Sequence, residues 1–437
     1  MTAFLRKYRS LLLVLPVLHV VGNAAAPLAL LLFGVFCLMQ AARKRHDVLL
    51  LTTLVIFILG DSRLWYIQWP KNMRMIILML MAAITIIDLA RGIYKLRPVM
   101  WVATVFYLLS IIVSVRNFDP GLSFSKATSY YLLLFVAVHY FNHHVRKQGR
   151  VLLQDLFWMV ILIVGIGLLL IPLQPNIVFF AESGRYRGLF GNPNGMGVYL
   201  TLVTPLVYLH FRIERKPLPL RLFAWGLILF SLFITFSRNG LISVIFFFFL
   251  SFLHKNGSLK LRVIAFYLMV LPLIMVVTNE TLLVQLIRLT GFEEQLRVET
   301  LLSGSGRFFA WQFALDTFAA YPWLGRGFAY EEILFHDYMP QWLYATGHQG
   351  GVHNSYIAFL LNNGVIGLTL VLLFYILLIR RIPVRRYIPA IIISTAFSAF
   401  FEPWLSSSLN AFTVHMLLLI LFYTHLSRQM LHLKPSA

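Results

Sequence analysis

LLQDLFWMVILIVGIGLLLIPL, residues 152–173, is a run in which Asp155 is the only charged side chain. A helix needs about 20 mainly apolar residues to cross the hydrocarbon of a bilayer, so this stretch reads as a membrane span. Working outward, similar stretches recur at about 11–21, 26–40, 48–62, 73–90, 98–115, 126–141, 193–212, 219–236, 240–254, 261–278, 354–380, 386–401 and 408–425. The chain has 437 residues, of which 59% are hydrophobic and 12% charged, whereas a soluble domain carries ~25% charged residues. In lipid every backbone polar group must be satisfied internally, and spans of this length do so as helices. The expected fold is therefore all-α: a polytopic transmembrane bundle of about 12–14 helices.

The N-terminal run follows Arg6, Lys7 and Arg9 and continues to Gln40 without a small-residue cleavage pattern, so it is expected to stay as an anchor. Pro16, Gly22-Asn23 and Pro27 interrupt it, which predicts a hairpin rather than one long helix. Cys37 is the single cysteine, so neither a disulfide framework nor a thiol metal site is available.

A net charge of +21 would suggest nucleic acid in a soluble protein, but here the sidedness of the charges decides. With both termini cytoplasmic, 25 of the 37 basic residues and four acidic ones fall on the inner side, which accounts for the whole excess. That pattern implies orientation and contact with anionic membrane lipid, not nucleic acid. The outer side holds 12 basic and 12 acidic residues. Three regions follow: helices with short loops over 1–278, an extracytoplasmic and mainly helical segment over 279–353, and C-terminal helices over 354–437. No internal repeat is visible, and chemistry is to be sought on the outer side.

Four constellations lie there. In Gly184-Arg185-Tyr186-Arg187-Gly188-Leu189-Phe190-Gly191-Asn192-Pro193-Asn194-Gly195-Met196-Gly197, Asn192 can cap a helix whose first residue is Pro193, so free N–H groups and two guanidiniums converge as a phosphate cradle. The competing reading is a glycine-rich turn with two arginines reaching lipid headgroups. Ser237-Arg238-Asn239-Gly240 is a tight outer turn between two apolar stretches, where a cation is costly and a functional candidate by default. Ser303-Gly304-Ser305-Gly306-Arg307 opens an expected amphipathic helix in which Phe308, Trp311, Leu315 and Phe318 repeat at helical spacing. A cation in a first turn opposes the helix dipole, so Arg307 is better understood with an anion beside it. The turn at Tyr321–Gly327 follows.

The fourth is His348-Gln349-Gly350-Gly351-Val352-His353-Asn354-Ser355-Tyr356, just before a long apolar stretch. An imidazole at the membrane rim can take a proton from a sugar hydroxyl, which makes His353 the candidate general base. The bland alternative is a helix cap. His348 and His353 are too few for a metal site. Glu293-Glu294 and Glu331-Glu332 could flank a glycosidic bond, but adjacent acids on a loop are more often solvated. There is no D-x-D pair, no Walker A loop and no G-x-S-x-G elbow.

At these residues the sequence resembles the O-antigen ligase and O-antigen polymerase superfamily of bacterial membrane glycosyltransferases. The matches are the Arg-Gly-Asn-Pro-Asn segment over 185–194, the Ser237-Arg238-x-Gly240 turn, Arg307 before an aromatic helix, the P-x-x-G-x-G run at 322–327, and His353-Asn354 followed by nine residues, Gly364, two more and Gly367. The last, H-N-x9-G-x-x-G, is the signature of O-antigen ligases, shared with related polymerases and protein-directed transferases. The resemblance spans about 180–370.

It implies a GT-C type enzyme of the bacterial inner membrane, active on the periplasmic side in lipopolysaccharide biosynthesis. The donor would be an undecaprenyl-pyrophosphate-linked glycan and the acceptor a glycan or the lipid A core, with inversion at the anomeric carbon and no metal or cofactor. His353 matches the base. Arg185 or Arg187, with Arg238 and Arg307, match the arginines that hold the pyrophosphate, Arg238 also counting as catalytic. Asn192, Asn194, Asn354 and Tyr356 would support them. Ligation of finished O-antigen competes with polymerisation of repeat units, and the histidine motif tips the reading to ligase. A transporter of lipid-linked glycan is the rival of another class, but such proteins often show duplicated halves.

Overall fold

The computed structural model describes residues 1–62, 67–214, 216–256, 307–345 and 350–430. The described chain is an all-α bundle. Its principal helices are α1 (Arg9–Ala24), α2 (Ala26–Ala42), α3 (His46–Asp61), α4 (Pro70–Ala90), α5 (Val99–Ser114), α6 (Pro120–Val136), α7 (Asn142–Leu173), α8 (Pro193–Ile213), α9 (Leu218–Ile234), α10 (Arg238–Asn256), α11 (Arg307–Phe318), α12 (Tyr330–Asp337), α13 (Ser355–Ile379), α14 (Ile388–Phe401) and α15 (Ala411–Leu426). Every apolar stretch read from the sequence falls in one of these helices, except 261–278, which lies outside the described residues, as do Glu293-Glu294, the Ser303–Gly306 run and His348.

Among the described residues five helical segments are long and apolar enough to cross a membrane, and six further apolar helices are shorter. The chain is a multi-pass membrane protein. α6 and α7 run on into each other across a π-helical turn at Ala137–Phe141 and a non-helical Gln148. At 1.5 Å per residue the merged 54-residue segment Pro120–Leu173 is far too long for one crossing of a ~30 Å hydrocarbon layer, so it holds two spans.

The N-terminal hairpin forms, but its break is at Ala25 (φ −149°, ψ 83°), while Pro16, Gly22 and Asn23 stay inside α1. An intramembrane proline is tolerated where neighbours and local adjustments re-satisfy the backbone. α8 and α15 are buried along nearly their whole length and form the centre of the bundle, whereas α4 buries one face only, through Met73, Ile77, Leu78, Met81 and Thr85. The lone charge of the opening stretch is also explained: Asp155 accepts from Lys7 Nζ at 2.5 Å and Tyr8 Oη at 2.8 Å.

α8 and α10 approach unusually closely. A Cβ on Gly240 would stand 2.9 Å from the Cα of Gly197, so the glycine of the 237–240 turn sets the spacing of these helices. In α11 the buried residues are Ala310 and Ala314, while Phe308 and Leu315 are exposed. Small residues let α11 lie close to α13, while Trp311 and Phe318 of the aromatic repeat are half-buried.

Candidate active site

Three elements begin at one end of the bundle, α8, α10 and α13, and α14 ends there. Between α12 and α13 the backbone turns through Gly350 (φ 92°), Gly351 (φ 78°) and His353 (φ 47°). A left-handed conformation outside glycine costs of order 1–3 kcal/mol, and neighbours hold this one in place. The Trp311 indole donates to the Val352 carbonyl at 2.8 Å, and the Val352 N–H donates to Oε1 of Glu331 at 2.8 Å. The cap of α13 is Asn354, whose side chain accepts from the N–H groups of Tyr356 (2.9 Å) and Ile357 (3.1 Å). Capping therefore does not account for the His353 imidazole.

The residue around which the site is organised is Glu402, at the end of α14, which the sequence reading passed over. Its buried carboxylate accepts from Arg307 Nη2 at 2.9 Å and from Asn194 Nδ2 at 2.9 Å through Oε1, while Oε2 stands 3.8 Å from Nδ1 of His353. Burial alone would push the Glu402 carboxyl up, but Arg307 and His353 outweigh it and hold it below the ordinary value. The loop after it is fixed as well: Ser355 Oγ donates to the Glu402 carbonyl at 2.7 Å and accepts from the Leu405 N–H at 3.0 Å. The anion that Arg307 calls for is thus a carboxylate of the same chain. A signal existed in the sequence, since Glu402 is a lone acid between two apolar stretches.

Arg185 joins this network. Nε donates to the Thr235 carbonyl at 2.9 Å, and Nη2 to the Phe236 carbonyl at 3.0 Å and to Oδ1 of Asn194 at 3.2 Å. Two of these acceptors are carbonyls at the C-terminal end of α9, a favourable place for a cation. Arg185 so links the 237–240 turn to Asn194 and through it to Glu402. Arg238, half-buried, opens α10 two residues beyond Phe236. The adjacent Asn239 donates to the Ser398 carbonyl at 3.2 Å, tying the same turn to α14.

Of the two arginines in the first loop, Arg187 points elsewhere: it donates to the carbonyls of Ile177 (3.1 Å) and Asn176 (3.5 Å) and lies 5.7 Å from the centre of the Phe180 ring. A two-stranded ribbon pairs Phe180 with Arg185 and Phe179 with Tyr186 and ends there; Arg187 lies just beyond it, its backbone N–H donating to the Val178 carbonyl at 2.7 Å, which keeps its side chain by the 176–178 turn. Asn192 caps α8, accepting from the Gly195 N–H at 2.7 Å. Tyr356 donates to the Ala396 carbonyl at 3.2 Å and so packs α13 on α14.

The glycines downstream of His353 have a different task. α13 is interrupted at Gly364 (φ 65°, ψ −171°), and the Tyr321–Gly327 turn docks into the break. Val365 N–H donates to the Pro322 carbonyl (2.9 Å), Arg326 N–H to that of Leu361 (3.2 Å) and Gly327 N–H to that of Asn362 (2.6 Å). A Cβ on Gly364 would collide with the Trp323 backbone, and one on Gly325 would stand 2.6 Å from the Asn362 carbonyl carbon. Only glycine permits such an approach. Arg326 locks the dock, donating to the Arg116 carbonyl and lying over the rings of Phe118, Tyr321 and Tyr330.

His353 also lines a cavity of about 820 Å³. Nδ1 is buried toward Glu402 while 31% of the side chain is exposed, so the opposite edge of the ring is the accessible one. The cavity walls carry Glu331, Asn362, Arg74, Lys126 and the Ser406–Ser408 run. Lys126 and Glu332 pair across it. Of the acidic pair, Glu332 is exposed as expected, but Glu331 is half-buried and engaged by Val352 N–H; burial pushes its carboxyl up, against that hydrogen bond.

Residues 223–372 match the family model described as O-antigen ligase. The chain carries an O-antigen ligase domain. That domain contains Arg238, Arg307 and His353, while Arg185, Asn194 and Glu402 come from outside it, so the site is completed by flanking segments. No curated protein matches the chain. At the level of the family, this domain supports a membrane glycosyltransferase of the ligase and polymerase type, and the family implies a lipid-linked glycan and an acceptor as substrates.

Proposed function

We propose that the protein transfers a glycan from undecaprenyl pyrophosphate to an acceptor hydroxyl on the periplasmic side of the inner membrane, as an O-antigen ligase joining O-antigen to the lipid A core. The observation that carries this reading is the meeting of His353, Glu402 and Arg307 beside a cavity, with Arg185 and Asn194 on the same carboxylate.

The chemistry follows from charge. The acceptor hydroxyl gives its proton to the exposed edge of His353 and attacks the anomeric carbon from the face opposite the departing diphosphate, with inversion. Glu402 at Nδ1 orients the ring and stabilises the imidazolium as it forms, the role of the third member in a carboxylate–histidine pair. The leaving group gains negative charge, which Arg238 and Arg307 compensate in a site of low dielectric. Each fixed donor of this kind is worth ~2.7–4 kcal/mol, against a factor of ~10²–10⁴ for the base. Arg185, engaged with two carbonyls and Asn194, positions the Arg238 turn rather than gripping the donor. The GT-C type, the periplasmic placement of residues 279–353 and the cytoplasmic termini belong to the same proposal.

The test is reconstitution of the purified chain with undecaprenyl-pyrophosphate-linked glycan and either lipid A core or a second lipid-linked repeat. Ligase activity yields glycan on the core. Chain growth on the lipid carrier instead makes the protein a polymerase, and movement of label across liposomes with no joined product removes the transferase reading.

A further inference from the structure

At the opposite end of the bundle from His353 lies a second cavity of about 430 Å³, between the Gly92–Pro98 loop and the α6–α7 junction. The 16 residues of α5 separate the two ends, roughly 24 Å at the rise of an α-helix. Lys95, Arg97 and Arg146 line this cavity, and Arg381, at the end of α13, adjoins it. None of these four cations pairs with a carboxylate among the described residues, whereas Lys7, Arg45, Lys126 and Arg307 each do. Burial, Arg381 and Arg146 all push the Arg97 guanidinium below its ordinary value, so the cluster is under mutual repulsion. The nearby acid, Asp88, is engaged with Tyr94.

The wall opposite the loop is the π-helical turn at Ala137–Phe141, a rare element that recurs at functional sites. It places His139 on the cavity, with Asn142 and His143 of the first turn of α7 beside it. His139 is 3% exposed; its Nδ1 hydrogen-bonds to the Phe135 carbonyl at 3.0 Å, and its buried Nε2 has no partner among the described residues. A buried polar atom left in this way calls for an occupant. The rim is apolar: Ile93 and Leu96 line the cavity while remaining 50% and 55% exposed, and Trp101 nearby is 64% exposed. An aromatic ring and aliphatic side chains beside cations match an amphiphile at a membrane surface.

We propose that this pocket binds the phosphate ester of an anionic phospholipid, held by Lys95, Arg97 and Arg146 with its acyl chains over Ile93 and Leu96. The phosphate supplies the counter-charge that the fold leaves out, and the His139 edge faces a phosphate oxygen. The site is independent of the transfer reaction.

The full-length chain, purified in detergent, is titrated with phosphatidylglycerol, with zwitterionic phosphatidylcholine and with inorganic phosphate, and occupancy is read by native mass spectrometry. Phosphatidylglycerol is expected to bind in preference to phosphatidylcholine. Arg97→Gln with Arg146→Gln weakens it about thirtyfold, and the exposed Arg146→Gln alone about fivefold, which keeps the test valid if the double variant fails to fold. Arg6→Gln with Arg9→Gln removes equal charge elsewhere and leaves binding unchanged. Loss of inorganic phosphate binding in the pocket variants, with lipid binding intact, keeps the anion site but makes its ligand soluble. Equal lipid and phosphate binding by wild type and pocket variants, or an equal loss in the Arg6/Arg9 control, overturns the proposal.

Discussion

The two halves of the H-N-x9-G-x-x-G pattern do unlike work. At its start, His353 is a side chain held in a strained backbone beside Glu402 and an open cavity. Eleven residues on, Gly364 offers no side chain at all, and its value lies in letting the Trp323 backbone approach. One end supplies a reactive group and the other fixes the frame that aims it. The difference teaches that a short motif can be a junction of chemistry and architecture, and that a mutation in it is interpretable only when stability and rate are measured apart.

His353→Ala should sharpen the contrast most. Transfer in a reconstituted assay is expected to fall by ~10²–10⁴, with the melting temperature in detergent unchanged. A variant that keeps full rate removes the base from His353. Gly364→Val should do the reverse: overpacking against the Trp323 backbone, plus strain at positive φ, costs several kcal/mol. Summed over the ranges of the two effects the cost reaches ~2–6 kcal/mol, so the expected reading is a loss of folded protein, and a stable Gly364→Val protein would mean that the turn does not dock as described.

Glu402 lies between these extremes. Deleting one partner of a buried ion pair costs ~3–5 kcal/mol, so Glu402→Ala should fail in both assays, while Glu402→Gln keeps the shape and loses the charge. The carboxyl is held below its ordinary value in the fold, so its contribution is present above the unfolded pKa of ~4.3 and fades as pH falls through the lower folded value. Thermal stability of the wild type should drop in that acid range, and Glu402→Gln should lack that part of the drop. Identical pH profiles would show that Glu402 is not held as an ion. Smallest is Asn363→Ala, which removes the 2.8 Å hydrogen bond to Ser110 Oγ between α13 and α5. About 1 kcal/mol of stability and no change in rate are expected; a rate effect would mean that the frame reaches the chemistry more directly.

Particular residues show why some of the site was legible and some was not. Arg307 asked for an anion because a cation in a first helical turn is unfavourable, and the expectation that one sits there is met by Glu402. Asn192 was legible as a cap because capping is a contact between near neighbours in sequence. Arg185 and Arg187 could not be told apart, since they sit two residues apart in one loop and their separation comes from long-range partners, Thr235 and Phe236 for one and Asn176 and Ile177 for the other. The hairpin break falls at Ala25, between Gly22-Asn23 and Pro27, with Pro27 in the first turn of α2, so the interruptions bracketed the break without fixing its residue.

By itself, then, the sequence determined a multi-pass helical bundle and the motifs that carry the family resemblance, both of which depend on composition or on spacing along the chain. Only the tertiary structure decided that Glu402 joins Arg307, Asn194 and His353, that Gly364 receives a turn some forty residues upstream, and that α11 packs by its alanines. Those are contacts between segments far apart in the chain, and their geometry comes from how helices pack rather than from any local preference.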